Sequence, residues 1–493
     1  MKRRLSFRLL ACFACFLSAG AATIDYSAYK AGPEPRSVVL SVRNGMDSRG
    51  FAWHTDETMD AGEVRLLKGE FGAEDDARFV REGRLLPGRV FKHAEDGINR
   101  HFADVDGLEP GATYSYRLGG AGRWTYGRFK VRQKSRRDVV VVNLNDAQTR
   151  DARRFDVFGN ACAAAAKAAG GDIDFVLHGG DFYDGRLFFA GSNTVKKMGR
   201  FYLQWGMAAD TATPYFDGVP WVMVSGNHDA DIYAQAVNEA FAVAVEAKNL
   251  VGCHSFDCGN VHFATLPWLG KSWGRHYERA LEWLDENLEA ARKSGKSDWI
   301  VVATHAGPYT TGDNMRVRKG CVESAFTSNL VFRLGGICAR RHVDLVLQAH
   351  DHCYSKTKPY RWDAAGFAED ENDAAAVNLS PRTKIVGGKV CDVNPQGTYY
   401  VSCGCAGHRV GEVREYAARK GKMSYANRQL KVVTGRIAVD SRHAKKGDDA
   451  SVDLKAQMFG ILRVDGRRLS YDFYVAEPNE AATLFDFLGI VKE

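Results

Sequence analysis

The sequence predicts a two-domain protein in which an all-β sandwich precedes a larger α/β domain. Three observations predict this. Short alternating apolar and polar runs fill residues 36–133, a charged break follows at residues 132–138, and apolar runs then alternate with amphipathic stretches. The length of 493 residues fits two or three domains of ordinary size. We expect the domain boundaries to be 36–133 and 138–493.

The first 21 residues have the order of a secretory signal. A basic stretch, MKRR, precedes an apolar run from Leu9 to Leu17, and Ala19-Gly20-Ala21 offers small residues for cleavage. A lipoprotein signal ending at Cys12 is the weaker alternative, because it would leave almost no apolar run before the cysteine. We therefore expect residues 1–21 to be removed and the mature protein to be secreted or periplasmic.

Composition and charge exclude several classes of protein. Hydrophobic residues make up 45% and charged residues 26% of the chain, which argues against disorder, collagen and coiled coil. After the signal, no stretch reaches the roughly 18 apolar residues of a membrane-spanning helix. Four basic residues and no acid lie in the first 21 residues, so the formal charge of +7 overstates that of the mature chain. A nucleic-acid polymer is not an expected partner, and the oligomeric state is left open.

All-β patterning characterises residues 36–133. Runs such as Val38–Val42 and Phe51–Thr55 are separated by Gly, Asp and Asn, without helical periodicity. The segment Phe102–Arg117, with its Leu-Glu-Pro-Gly and Tyr-Ser-Tyr-Arg, resembles the corner of fibronectin type III domains. That resemblance implies a fibronectin type III-like sandwich of about 100 residues. Trp53 and Tyr114 fit its core, so a stabilising and substrate-shaping role is favoured over the binding of a glycan or partner.

In the second domain, each apolar run ends in polar or small residues that suit a metal site. We expect these runs to be buried strands whose carboxyl ends meet, which is where open α/β sheets bind ligands. A single such residue at a strand end is more often a turn or a satisfied core residue. Five in order indicate one shared site. The residues that follow the five runs are Asn145-Asp146, Gly180-Asp181, Gly226-Asn227-His228-Asp229, Thr304-His305 and His350-Asp351-His352.

These residue types suit a dinuclear metal centre. Two cations about 3.5–4 Å apart need a shared carboxylate, with neutral N or O ligands completing each shell. Asp181 is the natural bridge. A water between two cations has a lowered pKa, and the resulting hydroxide can attack phosphorus. His228, next to Asn227, is then placed to donate a proton to the leaving oxygen.

With these residues the chain resembles the metallophosphoesterase (calcineurin-like phosphoesterase) superfamily, and over nearly all of its mature length the purple acid phosphatase branch. The stretch Ser255–Phe263 is similar to "SFDYGNVHF" of that branch, and His350–Lys356 to "GHxHxYxR". The resemblance implies a four-layer αββα domain after the fibronectin-like domain. It also implies two metal ions at the top of that domain.

The resemblance also implies a role for each motif residue. Asp146 and His352 would bind the first metal, Asp181 would bridge, and Asn227, His305 and His350 would bind the second. His228 would be the general acid, oriented by Asp229. Tyr354 and His408, in the motifs that follow, are candidate substrate contacts.

Two departures from the purple branch bear on the metals. Gln148 stands where that branch has glycine in "DxG", and it is either an amide-oxygen ligand or a bystander; some related diphosphatases carry "DxQ", so we favour a ligand. The branch places its iron-binding tyrosine three residues after the bridging Asp, but Tyr183 comes two residues after Asp181, and Asp184 is third. On a strand, a shift by one residue turns a side chain to the opposite face. We therefore expect divalent Zn, Mn or Fe rather than an Fe(III)-tyrosinate centre, with Tyr183 and Asp184 as candidate ligands or neighbours of ligands.

Nine cysteines follow the signal, in a compartment that permits disulfides. Cys253 with Cys258 and Cys321 with Cys338 are plausible pairs, and buried thiols are the alternative. A structural zinc site is disfavoured because the paired Cys-x-x-Cys spacing is missing.

Several segments and histidines carry expectations without a direct catalytic role. Residues 280–288 are predicted to form an amphipathic helix, residues 458–475 a hairpin, and residues 356–396 a long polar loop beside the site. His262 is predicted to be a buried, hydrogen-bonded strand residue. The sandwich histidines His54, His93 and His101 are predicted to lie at the surface.

The sequence thus predicts an exported, dinuclear metal-dependent phosphatase that hydrolyses phosphate monoesters of small molecules. A phosphodiesterase or nucleotide pyrophosphatase with the same centre is the alternative that Gln148 suggests. A catalytically silent surface-binding scaffold is the rival from another class.

Overall fold

The computed structural model describes most of both predicted domains, and the described residues are given by number. They are 32–92, 97–148, 152–182, 205–229, 250, 252–266, 275–308, 315–318, 321–324, 330–352, 354–357, 359, 381–407, 457–476 and 481–493. The predicted signal segment lies outside them, as do His93, Tyr183, Asp184 and His408. Among the helices in these ranges, none combines the length and the apolar character that crossing a membrane would require.

Eight strands and a short helix form the N-terminal part. They are β1 (Arg36–Ser41), β2 (Arg49–Asp56), β3 (Glu63–Lys68), α1 (Asp76–Glu82), β4 (Arg84–Pro87), β5 (Arg89–Phe91), β6 (Ile98–Val105), β7 (Thr113–Gly120) and β8 (Arg123–Lys130). Strands β1-β2-β6-β5 hydrogen-bond side by side, and β4-β3-β7-β8 form a separate sheet. Phe51, Trp53, Tyr116 and Phe129, which come from both sets of strands, share one buried cluster. The predicted β-rich region is present, and Trp53 lies in its core.

The second part alternates strands with helices. Its elements are β9 (Val139–Leu144), α2 (Ala152–Ala169), β10 (Phe175–His178), β11 (Trp221–Met223), β12 (His254–Cys258), β13 (Val261–Thr265), α3 (Arg275–Ser294), β14 (Trp299–Thr304), β15 (Met315–Arg318), β16 (Cys321–Ser324), α4 (Leu330–Arg340), β17 (Leu345–Gln348), β18 (Tyr354–Lys356), β19 (Arg382–Val386), β20 (Lys389–Val393), β21 (Tyr399–Cys403), β22 (Gln457–Asp465), β23 (Arg468–Ala476) and β24 (Thr483–Val491).

Two sheets carry the second part. The first has the order β19-β20-β24-β23-β22-β9-β10-β11 and continues into β1-β2-β6-β5, and the second has the order β12-β13-β14-β17-β21-β18. Strands β9, β10 and β11 run parallel, as do β13, β14, β17 and β21. Parallel strands end at the same edge of a sheet, so each sheet gathers the residues that follow its strands.

Three buried clusters organise the second part. One unites the first sheet with the second and includes Val141, Leu177, Val301 and Leu347. Another places α2 and the helical residues 205–212 against the first sheet. A third places α3 and α4 against the second sheet. Apolar residues on successive strand positions face opposite sides, so these nearly continuous apolar strands bury both faces.

The two parts are joined by backbone hydrogen bonds between strands and by an ion pair. Strand β1 pairs in parallel with β11 at Ser41 and Trp221, and the amide of Val42 donates to the carbonyl of Trp221 over 3.1 Å. In the predicted linker, the Arg132 guanidinium donates to the carboxylate of Asp174, and both side chains are almost fully buried. The linker is therefore fixed to the amino end of β10.

Two predicted elements are confirmed. Helix α3 spans the predicted segment 280–288, and its Leu281, Leu284 and Leu288 are buried on one face. Strands β22 and β23 form the predicted hairpin, with Asp465 opposite Arg468.

The predicted loop at 356–396 is wrong over its last part. Strands β19 and β20 form a hairpin with Ile385 opposite Val390, and β20 adds to the first sheet beside β24. The turn is Gly387-Gly388, and both residues have positive φ, as a two-residue hairpin turn of type I′ requires. Polar composition concealed this two-residue turn signal.

The predicted disulfides are also wrong in this structure. Cys253, Cys258 and Cys338, the last being the predicted partner of Cys321, are buried cysteines that form no disulfide among the described residues. Cys258 ends the extended strand that begins at His254. An extended chain advances about 3.3 Å per residue, which separates Cys253 from Cys258 far beyond disulfide reach. Buried thiols, the alternative, fit these positions.

Two histidines expected at the surface of the sandwich are buried. The His54 ring packs against that of Trp205 in the second part, with the ring planes tilted and the centroids 4.8 Å apart. His101 stacks on Trp53 and hydrogen-bonds Thr55 Oγ1 over 2.7 Å. His262, by contrast, is buried and bonded to Asp257 and Asn287, as predicted.

Candidate metal centre

The residues that follow five strands meet at one place between the two sheets. Two groups there could each hold a metal ion, and the ligand atoms within each group lie within 4.8 Å of one another. One group is Asp181, His305 and His350, and the other is Asp146, Asp181 and His352. All five residues are buried, and Asp181 belongs to both groups. The structure thus brings together the predicted bridging carboxylate and four further predicted ligands.

Asp181 is held by contacts from both sheets. Its Oδ1 accepts the main-chain N–H of His228 over 2.8 Å, and its Oδ2 lies 3.3 Å from His305 Nε2. Although burial favours the neutral acid, His305 and His228 lower the pKa of Asp181 far below its usual range. The shared carboxylate is therefore ionised.

Asp146 presents an oxygen that has no hydrogen-bond partner in the described part of the chain. Its Oδ2 accepts the main-chain N–H of His350 over 3.0 Å. Its Oδ1 is buried without a hydrogen-bond partner among the described residues, and His352 Nε2 lies 3.4 Å from it. Burial raises the pKa of Asp146 well above its usual range, although His305 opposes this. A buried carboxylate oxygen left in this way is suited to a cation.

His305 is oriented through its other ring nitrogen. Nδ1 lies 2.8 Å from the carbonyl oxygen of Gly179, which accepts its proton, so Nε2 is the ring nitrogen that faces the site. Nε2 is 3.1 Å from Asn227 Oδ1. Burial opposes protonation, but Asp181 and Asp146 raise the pKa of His305 to about 9. Burial lowers the pKa of both His350 and His352 to about 3, so these two rings are neutral at physiological pH.

The turn after β11 carries Asn227, His228 and Asp229. His228 retains a partly exposed side chain, and its Nε2 lies 3.8 Å from Asp181 Oδ2. Asp229 Oδ2 accepts the main-chain N–H groups of Asp181, Phe182 and Gly226 at 2.6, 3.3 and 2.9 Å. In these contacts Asp229 fastens the turn that carries His228 to the end of β10.

Gln148 is turned toward the shared carboxylate. Its main-chain N–H donates to the carbonyl of Asp181 over 3.1 Å, and its Nε2 donates to Asp181 Oδ2 over 2.8 Å. The side chain is buried and therefore lies at the centre rather than in solvent. The amide oxygen and nitrogen of such a side chain exchange places on a half-turn, so this position also suits an oxygen ligand.

The backbone at the centre is strained. Five residues there have positive φ without being glycine: Asp146, Gln148, Asp181, His350 and His352. Such conformations cost roughly 1–3 kcal/mol each and concentrate at functional sites. Two glycines make room for this backbone. A Cβ on Gly180 would lie 2.5 Å from His305 Nδ1, and one on Gly226 would lie 2.1 Å from Asp181 Oδ1.

The described contacts of Tyr354 lie in the core between the sheets, and its assignment as a substrate contact stays a prediction. Its hydroxyl donates to the carboxylate of Asp486 on β24, and its ring packs against Phe473 in the cluster that unites the sheets. The residue begins β18, where the strand turns this side chain inward. The predicted candidates Tyr183, Asp184 and His408 lie outside the described residues.

Sequence reasoning did not place any polar residues behind the ligands. Asn143, Asn145, Cys403 and Cys405 are buried beside Asp146, and the Cys405 thiol donates to the carbonyl of Asp146 over 3.1 Å. The available signal was the pair of asparagines inside and after an apolar strand, where an amide needs partners.

Comparisons with known proteins bear on this centre. Residues 142–354 match the calcineurin-like phosphoesterase family. Acid phosphatase type 7 of Mus musculus is 26% identical over 310 residues, covering 59% of this chain and 62% of that protein. The alignment thus spans less than two thirds of the mouse protein. Purple acid phosphatase PPD1 from seeds of yellow lupin (Lupinus luteus) has a similar fold, with a TM-score of 0.64 and 16% identity over 93% of this chain and 75% of the lupin chain.

The matched range contains all five strand ends that form the centre. The similarity to the lupin fold extends through the N-terminal β-rich part as well, because it covers nearly the whole chain. Residues 142–354 are therefore similar to the calcineurin-like phosphoesterase family, and the chain as a whole is similar in fold to a purple acid phosphatase.

Proposed function

We propose that the protein is a dinuclear metal-dependent phosphatase that hydrolyses phosphate monoesters of small molecules. The observation that carries this proposal is the pair of ligand groups that share Asp181. One shared carboxylate between two sets of imidazoles is the donor arrangement that holds two divalent ions close together. The named relatives, an acid phosphatase and a purple acid phosphatase, support the same class of reaction.

The residues present fit two ions. The ion pairs described for Asp146 and Asp181 are with histidines, and Asp146 Oδ1 lacks a hydrogen bond among the described residues. Asp146 and His352 would hold one ion, Asn227, His305 and His350 the other, and Asp181 both. Gln148 would join the first ion through its amide oxygen. Zn, Mn or Fe(II) suit these N and O donors, and an Fe(III)-tyrosinate centre is not part of the proposal.

When bound, the two ions would supply Lewis-acid chemistry, polarising a phosphoryl oxygen and lowering the pKa of water. The chain's own residues would supply position and a proton. His228 has a partly exposed ring at the rim of the centre, where it would donate a proton to the leaving oxygen. Asp229 would keep that ring in place by bonding the amides of Asp181, Phe182 and Gly226.

The finer domain assignments belong to the same proposal. The boundaries would be 36–133 and 138–493, with a fibronectin type III-like sandwich and a four-layer αββα domain. For the sandwich, the support is a tyrosine corner: the Tyr114 hydroxyl accepts the N–H of Glu109 over 3.1 Å, and Leu108 is buried. Export after removal of residues 1–21 rests on the sequence pattern alone.

The experiment is a hydrolysis assay with two substrates, 4-nitrophenyl phosphate and bis(4-nitrophenyl) phosphate. The purified protein is treated with a chelator, dialysed and reloaded with Zn or Mn. We expect the monoester to be hydrolysed faster, and only after reloading. Preference for the diester would replace the monoesterase by a phosphodiesterase. If neither substrate is hydrolysed by the reloaded protein, the chain is a silent scaffold and the proposal is wrong.

A further inference from the structure

The Asn145 side chain lies directly behind the metal centre and contacts both sheets. It is 1% exposed and immediately precedes Asp146 at the end of β9. Its Nδ2 donates to the carbonyl of Gln348 over 3.2 Å, and Cys403 Sγ is also 3.2 Å away. Gln348 ends β17 and Cys403 ends β21, so one amide joins three strand ends.

The orientation of this amide is set by a chain of directional hydrogen bonds. The Tyr471 hydroxyl donates to Asn143 Oδ1 over 2.6 Å, so Asn143 presents its Nδ2 to Asn145 Oδ1, 3.0 Å away. Asn145 must then turn its own Nδ2 toward Gln348. The same Asn143 Nδ2 also donates to the carbonyl of Leu177 on β10 over 3.3 Å. Because an amide has distinct donor and acceptor ends, a flip of either asparagine would break the chain.

Neighbouring backbone leaves Asn145 no room to move. A Cβ on Gly179 would lie 2.2 Å from Asn145 Oδ1, so the end of β10 passes against the amide. The carbonyl of Asn145 accepts the N–H of Ala406 over 2.8 Å, which holds the turn after β21. Asn145 therefore fixes the ends of β9, β10, β17 and β21 relative to one another.

Those strand ends carry ligands of both groups. Asp146 follows Asn145 directly, Asp181 follows β10, and His350 and His352 follow Gln348. We propose that Asn145 is a positioning residue that sets the spacing of the two metal positions by locking the ends of the two sheets together. This inference rests on the proposed function, because it concerns the same centre.

Asn260 provides a matched control at the opposite end of the strands. It is also 1% exposed, and its Nδ2 donates to Asp298 over 2.8 Å and to the carbonyl of Gly466 over 2.7 Å. It thereby joins the start of β13 to the β22–β23 turn, which is again a contact between the two sheets. A purely structural asparagine would behave alike at either end.

The test is a competition titration with Zn and a colorimetric chelator, together with thermal unfolding of the metal-free proteins. We expect Asn145→Ala to lower the affinity for both ions by about 10- to 100-fold, the range for residues that orient ligands. Asn260→Ala should lower the melting temperature comparably and leave both affinities unchanged. Tyr471→Phe removes the first donor of this chain of hydrogen bonds and should lower the affinity for both ions by a smaller factor.

Wild-type affinity for both ions in Asn145→Ala would overturn the inference, and so would a loss confined to one ion. If Asn145→Ala does not fold, Tyr471→Phe decides, and unchanged affinity there also overturns it. Failure of the proposed function is distinguishable, because the wild-type protein itself would then bind no pair of ions.

Discussion

The two ends of the same strands differ in how they handle charge. At the amino ends, buried or half-buried carboxylates meet lysine and arginine: Asp174 with Arg132, and Asp344 with Lys492. Asp344 also accepts the N–H of Ile300, and Lys492 lies over the ring of Trp299. At the carboxyl ends, Asp146 and Asp181 instead lie beside histidines.

The backbone shows the same difference. Of the nine described non-glycine residues with positive φ, five lie at the carboxyl ends, within the metal centre. The amino ends are closed by satisfied pairs, which stabilise the fold. The carboxyl ends hold strained residues and carboxylates that lie beside histidines, an arrangement that suits bound cations. Stability and function are therefore separated along the length of the strands.

The largest expected effect is that of Asp181→Asn. Because Asp181 belongs to both ligand groups, the variant should bind neither ion tightly and lose hydrolysis altogether. Asp174→Asn is the matched change at the amino end. It leaves Arg132 buried without a counter-charge and should cost about 3–5 kcal/mol of stability while metal content is kept. Metal analysis and thermal unfolding of both variants provide the test. Two ions still bound to Asp181→Asn would contradict the difference between the two ends of the strands.

His228→Ala should separate metal binding from turnover. Its ring is at the rim and belongs to neither ligand group, so both ions should remain. Hydrolysis should slow by about 10²–10⁴, the range for lost acid catalysis. The loss should be greater for an alkyl phosphate than for 4-nitrophenyl phosphate, whose leaving group needs less protonation. An unchanged rate with both esters would remove His228 from the mechanism.

Gly180→Ala should lower the affinity for the ion that His305 would hold. The new Cβ would press on His305 Nδ1 from 2.5 Å, in addition to the strain of φ +103°. Gly388→Ala is the control, because φ is +76° there and nothing lies within 4 Å of the Cβ. It should lower the free energy of unfolding by only about 1 kcal/mol and leave the metal affinity unchanged. Equal metal affinities in the two variants would contradict the close packing described around His305.

Gln148→Ala should have the smallest effect on metal affinity, and it distinguishes between two roles of this amide. If Gln148 is a ligand through its oxygen, only the ion held by Asp146 and His352 weakens. If it acts only by holding Asp181 Oδ2, both ions weaken equally. Stepwise titration with Mn distinguishes the two. We expect an unequal loss of less than about tenfold, below the usual range for orienting residues.

The strand ends were predictable, because each ligand directly follows a buried apolar run and parallel strands end together. Side-chain direction beyond those ends was not. Tyr354 comes only two residues after His352, yet it points into the core between the sheets, since the strand begins at that residue. His54 could not be placed either, because its burial depends on Trp205 from the other part of the chain.

The asparagines show a similar limit. Asn143 and Asn145 look like ordinary polar residues at a strand end, and their hydrogen bonds reach residues more than 200 positions away, Gln348 and Tyr471. Such long-range partners require the packed sheets. The Gly387-Gly388 turn, in contrast, was readable from a short-range signal that the polar surroundings concealed.

Elemental analysis of the purified protein, combined with its visible spectrum, decides whether Asp181 bridges two divalent ions. Two ions of Zn, Mn or Fe(II) per chain, without a purple absorption band, are the predicted result. One ion or none, persisting after reconstitution with Zn or Mn, would contradict a dinuclear centre built on Asp181. A purple, iron-containing protein would keep the two ions but contradict the divalent assignment.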